Sequence, residues 1–548
     1  MGRKVAKIGV VGLGTMGAGI AEVLARAGLQ VVGVEVADEA LTRGRGHIGR
    51  SSGRAVQRGR LTEDESRALL GRIAFTTALD DLGDADLVIE AAPERMEVKR
   101  ELLGRLDAVC RAETILATNT SSLSVTEIAA ATGRPGQVVG MHFFNPAPVM
   151  KLVEVVRTVV SDPEAVAAVV ALAERIGKRP VTCRDRAGFI ANALLFGYLN
   201  RAVSMHEKGH ATRDDIDAAM KLGAGLPLGP FQLLDLIGLD TACQILETMY
   251  GESGDRLHAP APLLRQTARA GLLGRKSGRG FYCYGEAAGA TPGEPAKTPY
   301  AGTRDVERVG VVGAGPRADG LAEAFRAAGF GVGQAERGEV APGGLGGVGL
   351  VVAVSDEDPQ ADRALFQILD QTCPAGTVLA TTAVRLPVVV AAAATRRPES
   401  VVGLRVFDPV PESKLVEVVR AVSTGDPAVE TARAVCDRLG RRAVVCGDRV
   451  GRIVDALLVP YLNDAVRMLE SRYASADDIA AAMTLGCGYP AGPFTMIDEI
   501  GLDTVLATQD AIYRESGEPG LRPAPLLEQL VTAGRPGRGA GASLRDHT

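Results

Sequence analysis

Residues 6–17 read Ala6-Lys-Ile-Gly-Val-Val-Gly12-Leu-Gly14-Thr-Met-Gly17. The apolar run Ile8–Val11 predicts a buried strand, and Ala18–Ala27 carries a helical pattern directly after it. Glycines 12, 14 and 17 therefore fall in a strand–turn–helix context, the setting in which this spacing binds dinucleotides. Gly12 allows the tight turn, Gly14 lets the backbone approach a pyrophosphate, and Gly17 lets the helix pack on the strand. The phosphates would lie at the helix N-terminus, where free N–H groups favour anions. The run Val31–Val36 predicts the next strand and carries Glu35, 23 residues after Gly12. A carboxylate there accepts bonds from the adenosine ribose and disfavours a 2′-phosphate, so NAD is expected rather than NADP.

The same motif returns as Glu307-Arg-Val-Gly-Val-Val-Gly313-Ala-Gly315, with Gly12 on Gly313 and Glu35 on Glu336, an offset of 301. Further along the offset is 263: Lys151-Leu-Val-Glu-Val-Val returns at Lys414, Gly229-Pro-Phe at Gly492 and Ile237-Gly-Leu-Asp-Thr at Ile500. The second copy is thus 38 residues shorter, and the loss falls between Glu336 and about Gly347. In the first copy that interval holds the basic, helix-patterned stretch Leu41–Arg72. Each copy divides again. Short apolar runs (Leu87–Ala91, Thr114–Ala117, Val138–Met141) alternate with helical patterns, which predicts a doubly wound α/β domain over 1–185. Helical spacing of Phe189, Leu195, Phe196, Leu199 and Val203 predicts an all-helical domain over 186–285. A linker at 286–304, a degenerate α/β copy at 305–447 and a second helical domain at 448–548 complete the expected order.

Composition narrows the functional classes. The 548 residues carry 61 basic and 66 acidic side chains, so no strongly basic surface is available for nucleic acid. Eight cysteines without a CxxC pair point to neither a disulfide framework nor a structural zinc site. No apolar run approaches the roughly 18–20 residues of a membrane span, and no secretory leader is recognisable. The expectation is a cytoplasmic protein that binds small molecules, with no metal, membrane or nucleic-acid partner.

His142 closes a strand-like run among apolar neighbours, where an imidazole is often only a satisfied core residue. Glu154 stands 12 residues on, beyond a Pro-containing turn, in the returning run Met150–Val156. That arrangement can bring a carboxylate beside the imidazole, and such a pair is a general base whose tautomer the carboxylate fixes. Asn119-Thr-Ser121-Ser122 follows the run Thr114–Ala117, at the strand end where parallel sheets place ligands. Ser124 suits the N-cap of a helix over Val125–Ala131, which leaves Ser121 free. Asn192 is a polar residue on the apolar stripe of 188–206 and needs a partner, structural or substrate.

Taken together, several motifs resemble, in order over 1–285, the L-3-hydroxyacyl-CoA dehydrogenase family. They are Gly12-Leu-Gly-Thr-Met-Gly17, Asn119-Thr-Ser-Ser-Leu, His142-Phe-Phe-Asn-Pro, Lys151-Leu-Val-Glu-Val-Val, Asp185-Arg-Ala-Gly-Phe-Ile-Ala-Asn192 and Met220-Lys-Leu-Gly-Ala-Gly. The resemblance implies oxidation of a (S)-3-hydroxyacyl-CoA to the 3-oxoacyl-CoA, with hydride to NAD and the proton to His142. It makes Glu154 the orienting partner, and Ser121 and Asn192 the groups that hold the 3-oxygen. It places Glu94, Lys99 and Asn119 on the cofactor side and Ser51, Arg58 and Asn145 on the acyl-CoA side. Arg58 stands where the family often has lysine. A 3-hydroxybutyryl and a 3-hydroxyadipyl thioester both stay open. So do a dehydrogenase of a non-CoA hydroxy acid (gulonate-like) and a non-catalytic, crystallin-like scaffold. The basic stretch 41–72 argues for CoA, and the intact Ser121/His142/Glu154/Asn192 set argues against a scaffold.

The second copy argues by contrast. At its offsets Ser121 becomes Val384, His142 Arg405, Asn145 Asp408, Asn192 Asp455, Asn119 Thr382 and Glu90 Ala353, while Gly17 becomes Ala318; Glu154 alone persists, as Glu417. Valine cannot polarise a hydroxyl and arginine cannot serve as a base. The expectation is a catalytically silent, structural copy; whether Gly313, Gly315 and Glu336 still hold a dinucleotide stays open. The helical part is better kept. In the resembled family the helical domains pair across a two-fold axis, so an internal pseudo-dimer is expected, with further homo-oligomerisation undecided.

Overall fold

The computed structural model describes residues 5–285, 306–340 and 345–534; the linker expected at 286–304 lies outside them. In the first copy the strands are β1 (Lys7–Val11), β2 (Gln30–Val34), β3 (Ile73–Thr76), β4 (Leu87–Glu90), β5 (Ile115–Thr118), β6 (Val138–Phe143), β7 (Leu152–Arg157) and β8 (Arg179–Arg184). They form one sheet in the order β3-β2-β1-β4-β5-β6-β7-β8. The strands up to β6 pair in parallel and are near-continuous apolar runs, because helices cover both faces. The order reverses between β1 and β4, which opens a crevice beyond the strand ends. β7 returns antiparallel to β6, with His142 directly opposite Glu154 in the register.

Strand β2 stops at Val34, so Glu35 is the first residue past it, at the mouth of the crevice. The first helix, Thr15–Arg26, starts earlier than its apolar pattern because Gly14 is its N-cap. The stretch Leu41–Arg72 is two helices, Asp38–Gln57 and Glu63–Gly71. Thr62 separates them: its hydroxyl accepts from Glu65 N and the Glu65 carboxylate accepts from Thr62 N, a capping box. Ser124 caps Val125–Ala129 as its sequence position predicts.

The second copy contains β9 (Arg308–Val312), β10 (Gly331–Ala335), β11 (Leu350–Ala353), β12 (Val378–Thr381), β13 (Val401–Val406), β14 (Leu415–Arg420) and β15 (Arg442–Gly447). Their order is β10-β9-β11-β12-β13-β14-β15, so among the described residues a counterpart of β3 and of the two helices before it is missing.

The helical parts cross over. Helix Ala191–Glu207 lies against its repeat counterpart Val454–Glu470, and Arg201 bonds Asp464 at 3.0 Å, a pair exactly one repeat apart. His210 O accepts from Gly447 N at the end of β15, and Ala211 forms a bridge with Cys446. Reciprocally, Tyr473 O accepts from Arg184 N at the end of β8. Each helical part therefore packs on the other copy's sheet, and one apolar core containing Leu152, Leu199, Leu415 and Leu462 joins them. Among the described residues no helix is long and apolar enough to cross a membrane.

Candidate active site

The turn after β1 is built for a bare backbone. Gly12 has φ +88°, and a Cβ there would lie 2.7 Å from Ala91 O. A Cβ on Gly17 would lie 1.7 Å from Gly12 O, so a side chain at 17 would force the turn open. Gly14 faces open space at the N-terminus of Thr15–Arg26. Glu35 Oε1 accepts from Leu13 N at 2.6 Å, bracing the turn, and Oε2 accepts from Val36 N at 3.2 Å. A cleft of about 820 Å³ opens here, lined by Gly12, Gly14, Glu35, Ala91, Pro93 and Leu102 among others. These residues fit a dinucleotide: bare N–H groups for a pyrophosphate beside a carboxylate for a ribose.

Behind the cleft lies a buried ion pair. Lys99 is fully enclosed and its Nζ sits 2.8 and 3.1 Å from the two oxygens of Glu90. Thr118 Oγ1 and Ala92 N also donate to Glu90, each at 2.6 Å. Lys99 reaches Glu94 at 3.4 Å. Glu94 Oε1 in turn accepts from Thr120 Oγ1 (2.7 Å), Ser121 N (2.8 Å) and Ser122 N (3.1 Å). Burial alone would raise the Glu94 carboxyl, but Lys99 and these donors hold it below the usual carboxylate range. Lys99 is fully buried, so its influence on a ligand passes through the groups it holds: Glu94 with the Ser121 loop, and Ala92, whose carbonyl accepts from Nζ at 3.3 Å and which lines the cleft.

The cross-strand pair sets the chemistry. His142 Nδ1 lies 2.7 Å from Glu154 Oε2, and Nε2 lies 3.2 Å from Ser121 Oγ. A carboxylate only accepts, so Nδ1 carries the proton and the lone pair of Nε2 faces Ser121. Glu154 is fully buried; its other oxygen accepts from Ile190 N (3.1 Å) and Ala191 N (2.9 Å) at the start of helix Ala191–Glu207. Two donors on one side and the imidazole on the other leave the carboxylate no freedom to rotate. The rings of Phe144 and Phe189 flank the imidazole, with centroids 4.7 and 5.6 Å away.

The remaining residues fall around this centre. Asn192 follows Ala191 on the same helix, half-buried, and its side-chain amide has no hydrogen-bond partner among the described residues. Asn119 Oδ1 accepts from Phe143 N, tying the end of β5 to the strand that carries His142. Asn145 is exposed on the turn after β6. Ser51 lies on Asp38–Gln57 near Glu22; burial keeps the Glu22 carboxyl above its usual range despite the lowering influence of the Ser51 hydroxyl. Arg58 follows the same helix and is exposed. Sequence reasoning missed the Glu90–Lys99 pair and the grip of Glu94 on three donors of one loop. The signal for the first was a charge closing the otherwise apolar run Leu87–Glu90, since a buried charge demands a partner.

The equivalent place in the second copy is closed. Arg405 Nη2 lies 2.9 Å from Asp455 and Nη1 3.5 Å from Glu417, and its guanidinium covers the Phe407 ring at 4.3 Å. Glu417 still accepts from Ile453 N and Val454 N, both at 2.9 Å. At the other crevice Ala318 stands where Gly17 would be, and Gly315 has φ +86° where Gly14 has −61°. Arg337 spans the crevice wall, donating to Val354 O at 2.6 Å and Asp362 at 2.9 Å.

Comparison with known proteins agrees with this geometry. The family model for the 3-hydroxyacyl-CoA dehydrogenase NAD binding domain matches residues 7–186 and again 343–449. The model for the C-terminal domain of the same family matches 188–284 and 451–547. A 3-hydroxyadipyl-CoA dehydrogenase of Escherichia coli is 33% identical over 528 residues, 95% of this chain and 96% of that one. A 3-hydroxybutyryl-CoA dehydrogenase of Mycobacterium tuberculosis is 48% identical over 286 residues, which is 52% of this chain and all of that one. The crystal structure of 3-hydroxybutyryl-CoA dehydrogenase from Escherichia coli superimposes with a TM-score of 0.75 at 31% identity, covering 97% of this chain and 99% of that one. The chain belongs to the 3-hydroxyacyl-CoA dehydrogenase family, in a tandem form, and is an NAD-dependent oxidoreductase.

Proposed function

We propose that the first copy alone oxidises short (S)-3-hydroxyacyl-CoA thioesters to 3-oxoacyl-CoA, and that the second copy is structural. The observation that carries this is the Ser121–His142–Glu154 chain, with Nδ1 2.7 Å from the carboxylate and Nε2 aimed at Ser121. Bound NAD supplies the hydride acceptor, held by the Gly12–Gly17 turn and Glu35. His142 Nε2 takes the proton of the 3-hydroxyl as the C3 hydride departs. Ser121 Oγ and the unpartnered Asn192 amide hold the 3-oxygen in place. Glu154 then faces an imidazolium, which it stabilises while its bonds to Ile190 and Ala191 keep it fixed. Asn119 and Glu94 position the strand and loop that carry His142 and Ser121, with Lys99 beneath them. Ser51 on helix Asp38–Gln57 and Arg58 just past its end, in a segment with no counterpart among the described residues of the second copy, fall with the exposed Asn145 to the acyl-CoA side.

The names of the relatives frame the acyl group: a four-carbon 3-hydroxybutyryl thioester, or a six-carbon 3-hydroxyadipyl thioester as for the tandem Escherichia coli relative. Silence of the second copy is supported by the Arg405–Asp455–Glu417 cluster, by Ala318 and by Arg337 across the crevice. The exchanged helical parts support an internal pseudo-dimer. The test is NADH oxidation with acetoacetyl-CoA and with 3-oxoadipyl-CoA, run beside His142→Ala. Turnover is expected with at least one thioester and a loss of about 10³-fold or more in the variant. A folded wild-type chain that turns over neither thioester, or a variant that keeps wild-type turnover, would overturn the proposal.

A further inference from the structure

Two equivalent glycines, Gly223 and Gly486, each face the sheet of the other copy. A Cβ built on Gly486 would lie 2.7 Å from Leu152 Cδ2 and 3.3 and 3.5 Å from Cε1 and Cζ of Phe144. Phe144 is the nearer of the two rings on the imidazole of His142, and Leu152 is fully buried. A backbone position of the second copy thus touches the side chain that seats the base of the first. Gly223 repeats the arrangement in the opposite direction. Its Cβ would lie 2.8 Å from Leu415 Cδ2, 2.8 Å from Val454 Cγ2 and 3.3 Å from Phe407 Cζ, and Phe407 carries Arg405; the Val454 contact is additional to those at Gly486.

The two glycines differ in what surrounds them. Helix Arg213–Gly223 is α throughout, whereas Ala482–Gly486 is a π turn, a local widening often found at functional sites. Thr484, in the wide turn, returns its hydroxyl to Ala480 O at 2.9 Å, where the first copy has Lys221. Cys487, which follows Gly486, is half-buried and close enough to Glu154 that desolvation and then that carboxylate push its thiol up to about 12. The wall of the first copy's site beside Phe144 and Glu154 therefore includes residues of the second copy.

We propose that Gly486 is a positioning residue for the reaction of the first copy: the missing side chain sets the seat of Phe144 and, through it, the imidazole of His142. This rests on the assignment of His142 as the base. The molecule supplies its own control, because Gly223 meets the corresponding leucine and phenylalanine, and Val454 besides, behind an arginine that transfers no proton.

The experiment compares Gly486→Ala with Gly223→Ala in the full chain, measuring kcat, the KM for NADH and the melting temperature. A methyl at 486 must displace Phe144 by a few tenths of an ångström. Since a misplacement of about 1 Å costs ~10²-fold, kcat should fall about tenfold. The KM for NADH should stay within about twofold, because the Gly12–Glu35 cleft is not touched. Gly223→Ala should lower the melting temperature at least as much, given its additional contact with Val454, and leave kcat within about twofold. If Gly486→Ala does not fold, Leu152→Val/Gly486→Ala and Leu415→Val/Val454→Ala/Gly223→Ala trim every side chain that a Cβ would meet under 3.0 Å on each side and carry the same comparison. Equal kcat in the matched variants overturns the positioning role while His142→Ala still reports on the proposed function. A wild-type chain without turnover overturns both.

Discussion

Replacing Glu154 with glutamine separates the charge of the orienting carboxylate from its shape. The glutamine oxygen has two possible employers. On one side are Ile190 N and Ala191 N, at 3.1 and 2.9 Å; on the other is His142 Nδ1, at 2.7 Å. Leaving two buried backbone donors unpaired costs ~1–3 kcal/mol each, so the oxygen stays with the helix and the NH2 faces Nδ1. Nδ1 must then accept, the proton moves to Nε2, and the lone pair that faced Ser121 is lost. The imidazolium formed during proton transfer also loses an anion whose charge centre is about 4 Å away. At an effective dielectric of ~20 that is worth about 4 kcal/mol, or ~10³-fold in rate. The expected result of Glu154→Gln is therefore a fall in kcat of about 10³-fold with little change in KM, read by steady-state NADH oxidation. Glu417→Gln in the second copy likewise keeps the two helix-start bonds, from Ile453 N and Val454 N, but turns an NH2 toward the Arg405 guanidinium in place of a carboxylate oxygen, and should cost stability without touching kcat. A Glu154→Gln enzyme within tenfold of wild type would refute the tautomer argument, and so would a Glu417→Gln enzyme that lost turnover.

Gly17→Ala should abolish cofactor binding, because its Cβ would meet Gly12 O at 1.7 Å and the turn must reopen. Calorimetric titration with NADH should show at least a ~100-fold weaker Kd, and unchanged affinity would move the cofactor away from this cleft. Asp217 provides a pH test. It accepts from Phe231 N, Tyr282 OH and Gln232 N, yet burial outweighs these donors and pushes its carboxyl up to about 6. The folded state then binds this proton more tightly than the unfolded state, whose ordinary value is 3.8. Its contribution is fully present below about pH 4 and is lost as pH rises through about 6, at most about 3 kcal/mol by pH 7. Urea unfolding of wild type and Asp217→Asn should show the wild type losing ground to the variant between pH 4 and 7; a pH-independent difference would refute the assignment.

The parts of the site legible in the sequence are those fixed by local geometry. Gly12, Gly14 and Gly17 sit in one turn. The His142–Glu154 separation closes a single antiparallel turn, so the two fall directly opposite each other. Glu35 was legible as a residue, although β2 ends one position before it. The split of Leu41–Arg72 was encoded in Thr62-x-x-Glu65, a signal that the run of basic residues on either side concealed. Glu94 and Lys99 came only through family resemblance, because their partners lie on other strands and loops: Glu90 on β4 for the lysine, the Thr120–Ser122 loop for the glutamate. The exchange of helical parts between copies left no periodic trace either. A helix with one apolar face reads the same whether that face meets its own sheet or its neighbour's.

That exchange explains why the second copy can lose the residues of the reaction and keep its shape. Each sheet's last strand is bonded by the other copy's helical part, through His210 and Ala211 on one side and Tyr473 on the other. Packing at these contacts depends on both copies. Proton transfer, on the proposed function, depends on side chains of one. Glu154 and its counterpart Glu417 show the two demands apart. Both accept a pair of N–H groups at the start of a helix, Ala191–Glu207 or Val454–Glu470, and both are fully buried. A buried carboxylate stripped of its partner would cost ~3–5 kcal/mol, so a replacement for histidine in the second copy has to be polar and able to donate. Arg405 meets that condition: it compensates Glu417 and Asp455 together while being unable to accept a proton. The carboxylate thus has two separable duties, holding a helix and orienting a base, and the second copy retains the residues for the first without those for the second.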